Sequence, residues 1–163
     1  MKLQDIQEIL EQADFTTTFL EADQEVPADR LMAFLDLEGR APDEGQLLEL
    51  LFVPEVKDDL DGFEILQFFV TFQFDLSILN ADQQQDLRNF ILSINFGLPL
   101  GAFGYNFEGG YIYFKHRSML HENMNEFGFQ QIEQTAALIH FEIEEYYNAL
   151  EQIATGKKSM SEL

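Results

Sequence analysis

The clearest order in the pattern of apolar and polar positions lies in the middle of the chain. Apolar residues recur at spacings of three and four over residues 87–98, which predicts one apolar face of a helix. Asn80, followed by Gln83 three residues later, has the pattern of a capping box. Gly97 and Pro99 end the helix, because neither residue continues it well.

Two aromatic-rich runs follow this helix. Residues 101–107 and 111–117 alternate aromatic and small or polar side chains, and Glu108-Gly109-Gly110 joins them. Glycine can supply the positive φ angles that a tight turn needs. The pattern therefore predicts a β-hairpin.

Residues 63–74 have the strictest alternation in the chain. Apolar side chains from Leu66 to Phe74 fall on one face, and Gln67, Thr71 and Gln73 fall on the other. Such a strand has one buried and one partly wet face. Residues 30–38 and 46–53 indicate two further strands; the second also suits a helix, but its bounds at Gly45 and Pro54 favour a strand. Residues 15–20 fit either a strand or a packed loop.

Two amphipathic helices lie near the ends of the chain. Residues 3–13 carry a short apolar stripe, and residues 132–153 carry a long one with Glu133, Glu142, Glu144, Glu145 and Glu151 outside it. Residues 155–163 are expected to form a flexible tail. The order α-β-β-β-α-β-β-α predicts an α+β fold, a five-stranded, mostly antiparallel sheet with helices on one face, in a single domain over residues 1–163.

Composition narrows the class of protein. A chain of 163 residues is long enough to bury a core without cross-links, and its lack of cysteine excludes disulfides and thiol chemistry. The N-terminal residues alternate charged and apolar side chains, unlike a secretory signal, and no apolar run reaches the ~20 residues of a membrane span. We expect a cytoplasmic protein without a membrane partner.

The charge is strongly negative, with 30 acidic and 9 basic residues and a formal net charge of -21. This charge repels phosphate backbones, so a nucleic-acid partner is not expected. It keeps an aromatic-rich protein in solution and leaves basic or unfolded polypeptides open as partners.

The candidate chemical groups do not assemble a catalytic or cofactor site. The turn Asp59-Leu60-Asp61-Gly62 resembles a calcium loop, but Lys57 and Phe68 occupy the positions of essential ligands. His140 and Glu144, one helical turn apart, supply only two metal ligands. Ser118 lacks the glycine-flanked elbow of a hydrolase. Gly97, Gly101 and Gly104 follow the C-terminal end of a helix, which repels phosphate. We expect no metal, no cofactor and no enzymatic activity.

The order of elements, in an acidic chain without cysteine, resembles the type III secretion chaperone-like fold and, within it, the YbjN family. The resemblance covers nearly the whole chain. Its most specific part is Ile94-Asn95-Phe96 at the helix end, a Gly/Pro bend, and a hairpin of the form Gly-x-Phe-x-Tyr…Gly-Gly-Tyr-x-Tyr-Phe, followed by Ser118-Met119-Leu120. The aromatic richness departs from the Leu-rich secretion chaperones and favours the YbjN side.

The resemblance implies a binding module. Secretion chaperones of this fold dimerise and hold a segment of a partner extended in apolar grooves, whereas YbjN proteins are described only as candidate regulators of sensory transduction without established chemistry. The family therefore offers no catalytic residues to transfer.

We expect an interaction protein that binds another polypeptide and forms a homodimer. An aromatic hairpin at the end of a sheet leaves an edge that another chain can cover. The predicted interface residues are Phe103, Tyr105, Tyr111 and Tyr113. The alternative is a small-molecule or enzymatic domain with a pocket between the sheet and the last helix, in which His116 or His140 is a polar anchor.

Overall fold

The computed structural model describes residues 2–24, 26–54, 60–106 and 108–163. Within these ranges the chain forms three α-helices, six strands and two short 3-10 helices. The α-helices are α1 (Leu3–Gln12), α2 (Ala81–Gly97) and α3 (Glu126–Ala154). The strands are β1 (Thr16–Leu20), β2 (Arg30–Leu35), β3 (Gln46–Phe52), β4 (Phe63–Phe72), β5 (Ala102–Asn106) and β6 (Tyr111–His121).

The six strands form one antiparallel sheet in the order β1-β2-β3-β4-β6-β5. The α+β class is confirmed, but the prediction of five strands is wrong. The additional strand is β1, which pairs with β2 from Thr16 opposite Phe34 to Leu20 opposite Arg30. Its residues alternate only between exposed and half-buried positions, and three of the five are threonine, so the strand carries a weak apolar signal.

The faces of β4 agree with the predicted alternation. Leu66, Phe68, Val70 and Phe72 are buried, whereas Gln67 and Thr71 are half-exposed. The paired strands continue these faces, since Leu50 lies opposite Phe68 and Leu51 lies opposite Gln67. We call the side that contains Phe68 the inner face of the sheet.

Helix α2 has the predicted bounds and caps. The Asn80 amide donates to Gln83 Oε1 at 3.0 Å, and the Gln83 amide donates to Asn80 Oδ1 at 2.9 Å, so the capping box is confirmed. The predicted apolar residues Leu87, Phe90, Ile91 and Ile94 are buried.

The chain divides into two compact units. The first unit comprises residues 1–70 and 116–138, and the second comprises residues 71–115 and 139–163. In the first unit, Gln7 of α1 donates to Thr17 of β1, which lies on the inner face. In the second unit, residues 139–154 of α3 pack against the side of the sheet that contains Phe72, because the ring centres of Tyr147 and Phe72 are 6.1 Å apart. The single domain over residues 1–163 stays a prediction.

The C-terminal segment, expected to be a flexible tail, contacts α2 in the second unit. Gln83 donates to the Gly156 carbonyl at 3.4 Å, and the Met160 amide donates to Asp86 at 3.4 Å. Residues Met160–Glu162 form a 3-10 helix. Among the described residues, no helix has an apolar stretch long enough to cross a membrane.

Candidate interaction surfaces

In the first unit, the sheet face opposite α1 exposes apolar side chains at alternate strand positions. Leu47 is 52% exposed and Met119 is 62% exposed, although both belong to the sheet. Other apolar residues at the alternate positions are half-buried beside one another. We call this surface the open face; its apolar members are Met32, Phe34, Leu47, Leu51, Ile65, Phe69 and Met119.

Charged groups on the open face are few and mostly paired. Arg30 lies 3.7 Å from a Glu49 carboxylate oxygen, measured between nitrogen and oxygen, and the same distance from Asp23. Arg117 donates to Gln67 Oε1 at 2.9 Å. This surface is therefore close to neutral in a chain with a net charge of -21.

The four predicted interface residues lie in the hairpin of the second unit, but not on one surface. Phe103 is only 3% exposed, because its ring contacts the Phe114 ring at 5.2 Å on the inner face. Tyr105, Tyr111 and Tyr113 are half-exposed. The register places Tyr105 opposite Ile112 and Tyr113 opposite Gly104, so the strands send Tyr105 and Tyr113 to different faces.

The hairpin turn is shaped by local contacts. Gly110 has a φ of +64°, a backbone conformation that residues with a side chain rarely adopt. Asn106 Oδ1 accepts from the Gly109 amide at 2.8 Å, and its Nδ2 donates to the Tyr111 hydroxyl at 2.9 Å. The hydroxyl of Tyr111 is therefore already bonded within the chain.

Asn95 of α2 covers the edge of β5. Its Nδ2 donates to the Phe103 carbonyl at 2.8 Å, and the Phe103 amide donates to its Oδ1 at 2.8 Å. A side-chain amide thus makes the pair of bonds that a neighbouring strand would make at this residue. The sheet edge was expected to be exposed, but at Phe103 its backbone amide and carbonyl are already hydrogen-bonded within the chain. The sequence offered one signal, the isolated Asn95 between apolar neighbours at the helix end.

The exposed side of α2 ends in two large apolar residues. Leu92 is 70% exposed and Phe96 is 97% exposed. Gln85 and Asn89 precede them on the same side, at spacings of four and three, and are joined by a hydrogen bond of 2.9 Å. This row of four residues, the α2 row, carries no charge.

Glu142 of α3 is buried in the second unit, although the sequence pattern placed it outside the apolar stripe. The side chain is only 2% exposed, and neither of its carboxylate oxygens accepts a well-formed hydrogen bond. Burial raises its pKa to about 7; the nearby Leu100 amide favours the charged form and limits the rise, and Glu145 adds like-charge repulsion.

The prediction for Glu142 failed because α3 is covered over a wider arc than one stripe. Glu142 is three residues after the buried Ile139 and directly before the buried Ile143. Its carboxylate lies close to the connection between α2 and β5, where Leu100 is. Helical spacing alone marks position 142 as the border of the stripe, so its burial depends on tertiary contacts.

The histidines do not form a recognisable catalytic or metal site. His116 Nε2 and Ser118 Oγ are 3.0 Å apart on the inner face, and the His116 ring is 5.8 Å from the Phe68 ring. Burial lowers the pKa of His116, which favours the neutral form of its ring. His140 and Glu144 are half-buried on α3. No group of three or more potential metal ligands converges within the described ranges.

The turn that resembles a calcium loop lies partly outside the described residues, since Lys57 and Asp59 belong to residues 55–59. Pro54, which precedes them, lines a cavity of about 540 Å³ in the first unit with Lys2, Asp29, Phe52 and Glu64. Neither His116 nor His140 lines this cavity, so it differs from the pocket between the sheet and the last helix that the alternative function requires.

These features define the class, an α+β protein with an antiparallel six-stranded sheet and partly exposed apolar surfaces. No family model and no curated protein matches the sequence. The chain is similar in structure to YbjN from E. coli, named "a putative transcription regulator", with a TM-score of 0.48 and 11% identity over 91% of this chain and 93% of that chain. The expected likeness to YbjN is found at this level, and family membership stays a prediction. We therefore argue function from this chain's own residues.

Proposed function

We propose that this chain is a non-enzymatic protein-interaction module that binds another polypeptide on the open face. The observation that carries the proposal is the exposure of Leu47 and Met119 among half-buried apolar neighbours. Contiguous apolar surface of this kind is typical of interaction sites in proteins. Methionine adds adaptability, because its unbranched side chain adjusts to different partners.

Charge supports the same surface. An acidic surface favours a basic partner. On the open face, however, Glu49 is the one glutamate among the described residues, and it is paired with Arg30. An apolar or weakly acidic segment can therefore approach it with little repulsion. The Arg117 side chain, held by Gln67, offers a cation for a carboxylate or backbone carbonyl of that segment.

The test is affinity capture from native lysate with three forms of the chain. We expect the wild type to capture a polypeptide that the double variant Leu47→Lys, Met119→Lys loses. Ile78→Lys is the matched control, because Ile78 is equally exposed but lies outside the open face. Equal capture by all three forms would remove the open face as the binding surface. Circular dichroism of each variant verifies that the fold is retained.

We further propose a homodimer in which the second copy covers the α2 row. Leu92 and Phe96 expose large apolar surface there, and the row has no acidic group to repel its own copy. Its spacing of four, three and four is that of the seam between two packed helices. The tyrosines of the hairpin are the alternative contact, with Phe103 left out because it is buried within the chain.

Sedimentation over a micromolar concentration series separates these possibilities. The dimer should be lost in the double variant Leu92→Lys, Phe96→Lys and kept in Tyr111→Lys, Tyr113→Lys. The opposite result would move the interface to the hairpin. Monomer mass for the wild type at every concentration would end the dimer proposal and leave the capture experiment unaffected.

A further inference from the structure

A cavity of about 410 Å³ adjoins the open face in the first unit. Met119 belongs to both, because it is a member of the open face and also lines the cavity. Met124, in the turn after β6, and Phe127, in the first turn of α3, add apolar lining. Three exposed amide side chains also line the cavity, those of Asn123, Asn125 and Gln131.

The lining is positioned by contacts within the chain. Met124 lies against Gly128 of α3, since a Cβ at Gly128 would be only 2.7 Å from the Met124 sulfur. Glycine at this helical position therefore makes room for Met124. His121, which also lines the cavity, accepts from the Asn123 amide through Nδ1 at 3.0 Å, and its ring centre is 5.1 Å from that of Phe63. The cavity is thus formed before any partner binds.

We propose that this cavity takes a tryptophan or tyrosine side chain of the polypeptide that binds on the open face, an inference that rests on the proposed function. Thioether sulfurs make favourable contacts with aromatic rings, and Met119 and Met124 place two of them in one cavity. The Phe127 ring, which is 79% exposed, is available to pack against a second ring. Aromatic side chains that fill pockets carry much of the free energy of protein association.

The polar groups favour an aromatic side chain with a polar tip. A buried indole N–H or phenol O–H needs a hydrogen-bond partner, and the amides of Asn123, Asn125 and Gln131 offer acceptors. A leucine would use neither these amides nor the affinity of sulfur for a ring. The described lining residues include no acidic side chain, so a lysine or arginine would find no carboxylate there, although the chain has a net charge of -21.

The methionine methyl groups provide a direct test, because the chain has only five methionines and no tryptophan. The probe is N-acetyl-tryptophanamide, followed by proton–carbon NMR, with each methyl signal assigned through its Met→Leu variant. Ring currents of the bound indole should move the signals of Met119 and Met124 saturably. Met32, elsewhere on the open face, and Met160, in the second unit, should keep their positions. Excess N-acetyl-leucinamide should not reverse the shifts.

Two variants alter the cavity while leaving the core intact. Gly128→Ala retains a good helix former but displaces the Met124 sulfur, so affinity for the probe should fall about two- to tenfold. Phe127→Ala removes an exposed ring and should have an effect of similar size. Gly97→Ala is the matched control, because a Cβ there meets nothing within 4 Å, and it should bind like the wild type. Circular dichroism verifies the fold of each variant.

Equal, unsaturable shifts at all five methionines would overturn the aromatic site, and so would complete displacement by N-acetyl-leucinamide. Wild-type affinity in both Gly128→Ala and Phe127→Ala would overturn it as well. Each of these results leaves the capture experiment with Leu47→Lys, Met119→Lys unaffected. Conversely, equal capture by every form, together with saturable probe binding, would remove the proposed function and keep the cavity as a site for an aromatic ring.

Discussion

Glu142→Gln is expected to stabilise the protein at alkaline pH by removing a buried ionisable group while keeping its shape. The folded chain holds the Glu142 proton up to a pKa of about 7, whereas the unfolded chain releases it near 4.5. Between these values the native state binds more protons, so the free energy of unfolding falls as pH rises. At ~1.36 kcal/mol per pKa unit, the full penalty is about 3 kcal/mol above pH 7.

The assay is urea unfolding of wild type and variant at several pH values from 4 to 8. We expect equal stability near pH 4 and an advantage of about 3 kcal/mol for Glu142→Gln at pH 8, with unchanged m-values. The many other carboxylates change stability with pH in both proteins, and their effect cancels in the difference. Glu145→Gln, exposed one turn away, is the control and should change stability at pH 8 by under about 1 kcal/mol.

A difference between wild type and Glu142→Gln that does not vary with pH would refute this reasoning. It would mean that the carboxyl is ionised in the folded state at ordinary cost, or that water already reaches it. A variant less stable than wild type at pH 8 would show that the carboxylate makes favourable contacts that glutamine cannot replace.

Three further substitutions, each with a control, test the packing of the core, the hydrogen bonds of Asn95 and the conformation of Gly101. Phe68→Ala should cost about 3–5 kcal/mol of unfolding free energy through lost burial and a cavity, whereas Gln67→Ala, on the half-exposed face, should cost under about 1 kcal/mol; equal urea midpoints would show the faces inverted. Asn95→Ala removes two hydrogen bonds and should cost about 1–3 kcal/mol, with Asn89→Ala near zero as its control. Gly101→Ala should cost at least about 1–2 kcal/mol because of its positive φ, while Gly97→Ala should be neutral or gain up to about 1 kcal/mol; similar thermal midpoints for both would contradict the strain.

The elements with strong local signals were predictable from the sequence. The capping residues and glycine fixed the bounds of α2, and the period of two in residues 63–74 identified the buried face of β4. Strand β1 was not predictable, because a short Thr-rich edge strand is defined by its pairing with β2. The contacts of the C-terminal segment with α2 were likewise not predictable, because the residues that make them are distant in sequence.

The candidate sites were less predictable because they depend on tertiary contacts. Aromatic composition identified the hairpin but not which rings face inward, and Phe103 is buried by Phe114. A glutamate among other glutamates on α3 carries no local sign of burial. The open face could be anticipated as a wet side of the sheet, but its exposed Leu47 and Met119 required the register of the neighbouring strands.

The hydrogen bonds between Asn95 and Phe103 join residues that are close in sequence, and this matters while the chain is being synthesised. Asn95 precedes Phe103 by only eight residues, so closing this loop costs little chain entropy. Both partners leave the ribosome before Tyr111, where the strand that pairs with β5 begins. Asn95 can therefore satisfy the first half of the hairpin before its second half exists, and so limit the time during which unpaired backbone can contact other nascent chains.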